Sequence, residues 1–254
     1  SYLKFLQSIK DDDFDSILQK IIQIGEYLQT KSNIRFAVNA DEQLFGNIEN
    51  GIHSFTSKIT KDNENQIQNN SNDFIEDNER KVFVPLQSSV NYCSMSFPGV
   101  NYEHEDYAKL KVLSTVVSYN YLHPEIREKG GAYGGGLKSG DSISFYSYRD
   151  PNIEATLNTF SNTVNWIKDG KGYNDTDIEE AKISILGGLD SPIVPSKKGT
   201  AFFSQGITDE MRQKLRDGVF STSKDDLINI SEKYIGDSSK SYITVVGNQD
   251  KCPS

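Results

Sequence analysis

The chain has 254 residues, of which 35% are hydrophobic and 11% aromatic, enough to bury a sizeable core in one large domain or two small ones. Its formal charge of -9 argues against a nucleic-acid-binding protein, which would present a basic face. No apolar run approaches the roughly 20 residues that a membrane span needs, so we expect a soluble chain without a membrane partner. Cys93 and Cys252 lack CxxC spacing, which argues against a disulfide scaffold or a cysteine zinc knuckle.

The first 80 residues predict helices, one short strand and an insertion. Residues 2–29 show a helical pattern that breaks near Lys10–Asp13, after which apolar residues recur at three- and four-residue spacing. Residues 34–39 alternate like a short strand, and residues 41–58 return to a helical pattern. Residues 61–80 are dense in Asn, Gln, Asp and Glu. They are predicted to form a disordered, low-complexity surface insertion because they hold few apolar groups.

The middle of the chain predicts two strands, a helix and a hairpin. Residues 81–86 and 90–97 have the composition and alternation of strands. A helix is predicted over 103–122. The following hairpin should pair residues 132–137 with residues 142–148 across a turn at 138–141.

The last hundred residues predict helices over 153–168, 176–189, 208–217 and 223–235, and a final strand over 241–246. Thr176 and Glu179 form a candidate capping box, and Thr208 and Ser223 are candidate N-caps. This order of elements favours an α+β fold in which helices pack on one face of a mainly antiparallel sheet. We expect residues 1–254 to form a single domain.

Several kinds of catalytic site are excluded by spacing. The histidines His53, His104 and His123 belong to no HxxEH or HExxH motif, so we expect no metal site in this chain. Gly131 and Gly136 are spaced as in a phosphate-binding loop, but a leucine follows where that loop requires lysine. A serine or cysteine nucleophile would need a GxSxG elbow or a recognisable histidine partner, and the chain offers neither.

The remaining candidate is the stretch PEIREKGGAYGGG at 124–136, in which Arg127 stands six residues before Tyr133. A guanidinium supplies fixed charged donors and a phenol supplies one directional hydrogen bond. Aimed at a peptide carbonyl, such donors orient a substrate or stabilise an oxyanion. Gly130 and Gly131 join the candidate substrate-binding residues because they leave the turn uncrowded. The structural alternative is that Arg127 pairs with a neighbouring glutamate while Tyr133 packs beside the sheet.

The segment LHPEIREKGGAYG at 122–134, together with YRDP at 148–151, resembles the C-terminal half of the pitrilysin/insulinase zinc peptidases. The most similar subfamily is the presequence protease and falcilysin group. The resemblance continues through LDSP at 189–192 and GITDEMR at 206–212. It covers nearly the whole chain outside residues 61–80.

The resemblance implies a metalloendopeptidase of two homologous halves that enclose a chamber. The N-terminal half would carry HxxEH, zinc and the water-activating glutamate. The C-terminal half would bind no metal and would present Arg127 and Tyr133 to unfolded peptides such as cleaved presequences. This chain would then be the last of four related domains, inactive alone and partnered by the N-terminal half of the same polypeptide. The usual location of the subfamily is the mitochondrion, with another organelle or a vacuole as alternatives.

Two other functions stay open from the sequence. A non-catalytic binding or scaffold subunit could keep the fold, and its partner half would then lack a complete zinc motif. A self-standing peptide-binding module would bind peptides without any partner half. The peptidase differs from both because it requires a partner half with a complete zinc motif.

Overall fold

The computed structural model describes residues 2–59 and 80–251. These residues form two compact units, one built from 2–59 and 193–205 and the other from 80–192 and 206–251. Except for Arg80, the predicted insertion at 61–80 lies outside the described residues. The prediction of one domain over 1–254 stays a prediction. Within the described ranges, no helix combines the length and apolarity required to cross a membrane.

The described helices and strands are numbered in chain order. The helices are α1 (Tyr2–Ser8), α2 (Phe14–Leu28), α3 (Phe45–Thr56), α4 (Tyr107–Val117), α5 (Ile153–Ser161), α6 (Thr163–Asp169), α7 (Asp175–Leu189), α8 (Thr200–Gln205), α9 (Asp209–Ser221) and α10 (Lys224–Ile235). The strands are β1 (Lys81–Pro85), β2 (Asn91–Pro98), β3 (Gly134–Lys138), β4 (Ser142–Asp150) and β5 (Tyr242–Gly247).

The first unit is helical. The predicted break at Lys10–Asp13 is confirmed as a 3₁₀ turn in which the Asp13 carboxylate accepts the Lys10 N–H at 2.9 Å. The prediction of a strand over 34–39 is wrong, because these residues pair with no strand in the described part of the chain. Alternation of side chains alone does not stabilise a strand without a partner. Instead, Asn39 donates to the carbonyls of Ser196 at 3.2 Å and Lys198 at 2.7 Å.

The second unit holds a five-stranded sheet of order β1-β5-β2-β4-β3. Only the β1–β5 pair is parallel, and the other neighbours are antiparallel, which confirms a mainly antiparallel α+β fold. Buried and accessible residues alternate along β2 and along most of β4. The inward side chains meet the helices, as where the rings of Phe145 and Phe160 lie 5.2 Å apart. Half-buried and exposed serines and tyrosines occupy the opposite face, because successive strand side chains point to opposite sides.

Helix boundaries follow local capping chemistry. The predicted capping box at Thr176 and Glu179 is wrong, because Asn174 is the N-cap and Asp177 completes the box. Asn174 is extended and its side-chain oxygen accepts the Thr176 N–H at 2.8 Å. The predicted N-caps Thr208 and Ser223 are both confirmed. The helix predicted over 153–168 is divided into α5 and α6 at residue 162.

The helix predicted over 103–122 is longer at its C-terminal end than the pattern indicates. Helix α4 begins at Tyr107 and continues as π-helical turns over Ser118–Lys129. Wider π turns tolerate a residue that interrupts the α-helical bonding, and they occur frequently at functional sites. Pro124, which has no N–H to donate, lies inside this segment. The candidate Arg127 therefore lies on the last helical turn before β3.

Candidate functional site

The glycine pair ends the π-helical segment and sets the path of the chain into β3. A side chain at Gly130 would place its Cβ 2.5 Å from the Ile126 carbonyl oxygen, a distance that only glycine avoids. Gly131 has φ of +76°, a region that residues with a Cβ rarely adopt. The N–H groups of Gly131 and Ala132 donate to the carbonyls of Arg127 and Ile126 at 3.0 and 3.1 Å. The turn between Arg127 and Tyr133 is therefore tightly defined.

Arg127 is exposed on the last π-helical turn. Its Nη1 donates to Nε2 of His123 at 3.3 Å, one helical turn earlier. Glu125 pairs instead with Lys129 at 2.6 Å, and Glu128 lies 3.7 Å from Nδ1 of His123. The guanidinium contacts neither glutamate among the described residues. Most of its donors are thus available to an incoming acceptor.

Tyr133 extends from the turn with 59% of its surface exposed. Its ring lies 5.4 Å from the Tyr148 ring at an interplanar angle of 57°. The guanidinium carbon of Arg149 lies 5.7 Å from the Tyr133 ring centroid. Within the described residues its hydroxyl has no hydrogen-bond partner, so the ring is supported while the phenol remains free to donate. Tyr133 contacts the sheet through Tyr148, but it is not buried there.

The tyrosines continue along the open face of the hairpin. The Tyr146 and Tyr148 rings stack with centroids 6.5 Å apart, and Lys138 Nζ lies 4.8 Å from the Tyr146 ring. A cavity of about 270 Å³ adjoins this row and is lined in part by Tyr146 and His123. The row joins the turn that holds Tyr133 to the pocket beside the Arg127–His123 pair. In the described residues, however, Arg127 and Tyr133 make no direct hydrogen bond or ring contact with one another.

The YRDP segment supplies hydrogen-bonded supports for this turn that the sequence pattern did not predict. Asp150 is fully buried, and its carboxylate accepts the Asn152 N–H at 2.8 Å and the Thr156 hydroxyl at 2.6 Å. Asn152 then donates from its side chain to the Gly130 carbonyl at 2.7 Å. The available signal was an Asp-Pro-Asn run between a strand and a helix, where turn and capping residues concentrate.

The described residues do not fit a zinc site. In residues 2–59 and 80–251, no three His, Cys, Asp or Glu side chains come together in a metal-binding arrangement. His104 accepts the Asp106 N–H at Nδ1, 3.0 Å away, and His123 is occupied by Arg127. Burial raises the pKa of the Cys93 thiol to about 11, a rise that the neighbouring Ser147 side chain opposes and the nearby Asp150 carboxylate reinforces. Cys93 is therefore a neutral buried thiol rather than a nucleophile or ligand.

Residues 80–247 match the family described as the PreP C-terminal domain. The chain belongs to this family. The mitochondrial presequence protease of Xenopus laevis is 38% identical over 252 residues, which cover 88% of this chain and 24% of that relative. The same-named protein of Kluyveromyces lactis is 32% identical over 236 residues, which cover 91% of this chain and 24% of the relative. The chain thus spans about a quarter of the length of these presequence proteases.

Solved structures share the fold of this PreP C-terminal family member. A protease from Helicobacter pylori aligns with a TM-score of 0.59 and 14% identity, over 78% of this chain and 52% of its own. The peptidase M16 inactive domain from Pseudomonas fluorescens aligns with a TM-score of 0.53 and 16% identity, over 66% of this chain and 43% of its own. At such identities the likeness concerns the fold alone, and it agrees with the predicted α+β class.

Proposed function

We propose that this chain is the C-terminal portion of a zinc metalloendopeptidase that degrades unfolded peptides, such as presequences, in a closed chamber. Family membership supports the assignment, since the relatives matched are named presequence proteases. The observation that carries it is the turn between Arg127 and Tyr133. Two exposed side chains of complementary donor type stand on either side of a glycine pair, and their donors are largely unused.

The proposed role of Arg127 and Tyr133 is to bind and orient a peptide carbonyl. The charged donors of Arg127 and the phenol of Tyr133 favour an oxygen on which negative charge develops. Arg127 has no acceptor and stays protonated, and Tyr133 contacts no carboxylate among the described residues that would take its proton, so neither side chain is placed to act as a base. The contribution of this chain would therefore be placement of the substrate and stabilisation of charge.

The metal chemistry would belong to the N-terminal half of the same polypeptide. Zinc bound there would activate the attacking water, whereas the described residues here provide no ligand set. On this division of labour the chain alone is inactive. Since the whole protein's activity depends on both halves, its peptide substrates and its mitochondrial location, suggested by the relatives' names, are part of the proposal.

An apolar stripe on α2 supports a partner for the first unit. Phe14, Ile21 and Ile24 are each 59% exposed, and Leu28 is 58% exposed, at spacings that place them on one helical face. A contiguous apolar stripe of this kind marks an interaction surface. The N-terminal half that the proposed function requires is the partner we assign to this stripe.

The proposal is tested in the full-length protein with Arg127→Ala and Tyr133→Phe. Each variant is expected to lower kcat/KM for an unfolded peptide by about 100-fold, the scale for losing one charge-stabilising donor. Zinc stoichiometry should not change. Arg80→Ala is the control. The guanidinium carbon of Arg80 lies 5.1 Å from the Tyr242 ring centroid and its Nη1 donates to the Ser239 carbonyl, near the other edge of the sheet.

Three outcomes would contradict the assignment. Turnover at the wild-type level in both variants would remove Arg127 and Tyr133 from the site. Stoichiometric zinc and peptidase activity in the isolated chain would overturn the division of labour. A full-length protein that binds no zinc and cleaves no peptide would favour the scaffold subunit instead.

A further inference from the structure

Arg149 occupies a β-bulge beside the proposed site. On β2 the neighbours Asn91 and Tyr92 pair with Asp150 and Tyr148 of β4, so Arg149 is an extra residue with no partner across the ladder. Its φ is +51°, a positive value that no other non-glycine residue in the described ranges adopts. Glycine ordinarily fills a left-handed bulge position of this kind, because a Cβ makes that conformation unfavourable.

The bulge reverses the side on which Arg149 would otherwise emerge. Ser147 is buried, Tyr148 and Arg149 are both exposed, and Asp150 is buried again. Regular alternation would have turned Arg149 toward the helix-packed face together with Ser147. The extra residue instead carries its guanidinium to a position 5.7 Å from the Tyr133 ring centroid. Bulges are known to re-aim side chains in this way next to active sites.

Apart from its contact with the Tyr133 ring, the guanidinium of Arg149 is not held by the fold. In the described part of the chain it makes no ion pair and no side-chain hydrogen bond. The adjacent carboxylate, Asp150, does not neutralise it, because that side chain is buried and bonded to Asn152 and Thr156. The guanidinium lies over the Tyr133 ring, a contact that uses no hydrogen-bond acceptor and so leaves its N–H donors open. Such a planar fork matches a carboxylate through two parallel hydrogen bonds.

We propose that Arg149 is a specificity-determining residue that binds a carboxylate of the peptide beside Tyr133. The inference rests on the proposed function of the Arg127–Tyr133 turn and adds a substrate preference to it. Arg149 keeps an unfavourable backbone conformation that a glycine would relieve, and its exposed side chain is unpaired. This combination points to a role in binding rather than in folding. The carboxylate is that of an acidic side chain or of the peptide C-terminus, since both present the same two oxygens.

The test compares peptide pairs in the full-length enzyme. One arm replaces Glu with Gln at successive positions around the cleaved bond, and the other replaces a free C-terminus with its amide. The wild type should prefer the carboxylate member of at least one pair by about tenfold in kcat/KM. Arg149→Gly should bring that ratio to about one, and Arg149→Lys, which keeps the charge without the fork, should fall between them.

Arg149→Gly also separates binding from folding. Because glycine accepts the positive φ, the melting temperature of this variant should be at least that of the wild type. Arg80→Ala, at an arginine that also lies over a tyrosine ring, that of Tyr242, but donates to the Ser239 carbonyl, should leave the carboxylate preference unchanged. A wild type with no preference in either arm, a preference that survives Arg149→Gly, or an equal loss for both members of a pair would each overturn the proposal. Arg127→Ala tests the proposed function separately, since it should lower turnover of both members alike.

Discussion

Gly131→Ala tests how the turn between the two candidate donors is held. Gly131 has φ of +76°, and a Cβ added there would meet only Pro151 Cγ, 3.7 Å away. That distance is an ordinary van der Waals contact, so the substitution creates no clash. The loss in free energy of unfolding therefore comes from the backbone conformation alone, so it measures the strain that glycine relieves.

The magnitude follows from two opposing effects. An L-residue in the left-handed region loses about 1–2 kcal/mol relative to the right-handed region. Replacing glycine by alanine also restricts the unfolded chain, which returns about 0.4–1 kcal/mol. We therefore expect Gly131→Ala to lower the free energy of unfolding by about 1 kcal/mol. Gly140→Ala has no positive φ and no atom within 4 Å of the added Cβ, so it should raise that free energy by about 0.4–1 kcal/mol.

The assay is equilibrium urea unfolding of this chain and its variants under one condition. The difference between Gly131→Ala and Gly140→Ala should be about 1–2 kcal/mol, and Gly131→Asn should lie between them because asparagine tolerates positive φ. In the full-length protein, Gly131→Ala should also lower turnover, since Tyr133 is two residues away and small displacements of positioned groups are costly. Equal stability of Gly131→Ala and Gly140→Ala would show that the positive φ at Gly131 carries no strain.

Two further predictions concern stability in the second unit. Ser118 Oγ accepts the Leu137 N–H at 2.9 Å and donates to the Leu137 carbonyl at 3.3 Å. Ser118→Ala should therefore lower the free energy of unfolding in urea by about 1–3 kcal/mol, because both Leu137 groups lose this partner. The exposed Ser142→Ala is its control, and equal effects would contradict this role. Burial raises the pKa of Asp226, but hydrogen bonds from Lys109 and from Ser223 outweigh it and lower that pKa to about 2. Because the folded pKa lies below the ordinary 3.8, its stabilisation is present above pH 4 and is lost as pH falls through about 2. Asp226→Asn should therefore cost about 1 kcal/mol at neutral pH after solvent screening, and a gap from wild type that persists unchanged at pH 2 would contradict the assignment.

Local patterns predicted the parts of the fold that depend on neighbouring residues. The alternation in β2 and the hairpin turn after β3 follow from side-chain period and turn composition, and both are confirmed. The caps Thr208 and Ser223 are confirmed for the same reason, because an N-cap bonds the backbone two or three residues ahead. Residues 34–39 show the limit of local patterns, since alternating side chains do not indicate whether a partner strand exists.

The surroundings of the candidate site depend on pairing across the sheet and could not be predicted in the same way. The motif placed Arg127 and Tyr133 on either side of a glycine turn, and the structure has that turn. A register shift between β2 and β4 determines on which face of the sheet Arg149 lies. The sequence around Arg149 does not indicate that shift. The π-helical continuation that carries Arg127 is likewise invisible to a pattern based on 3.6 residues per turn.

Two segments about twenty residues apart act as one support for the proposed site. Tyr133 donates its N–H to the Arg149 carbonyl at 3.4 Å, and the Asn152 side chain donates to the Gly130 carbonyl at 2.7 Å. Asp150, buried beneath them, is held by its hydrogen bonds at the start of α5. The backbone of the turn is thus hydrogen-bonded to the segment 149–152, while the side chains of Arg127, Tyr133 and Arg149 keep their donors exposed. A surface with a fixed backbone and free donors can position a substrate without first having to become ordered itself.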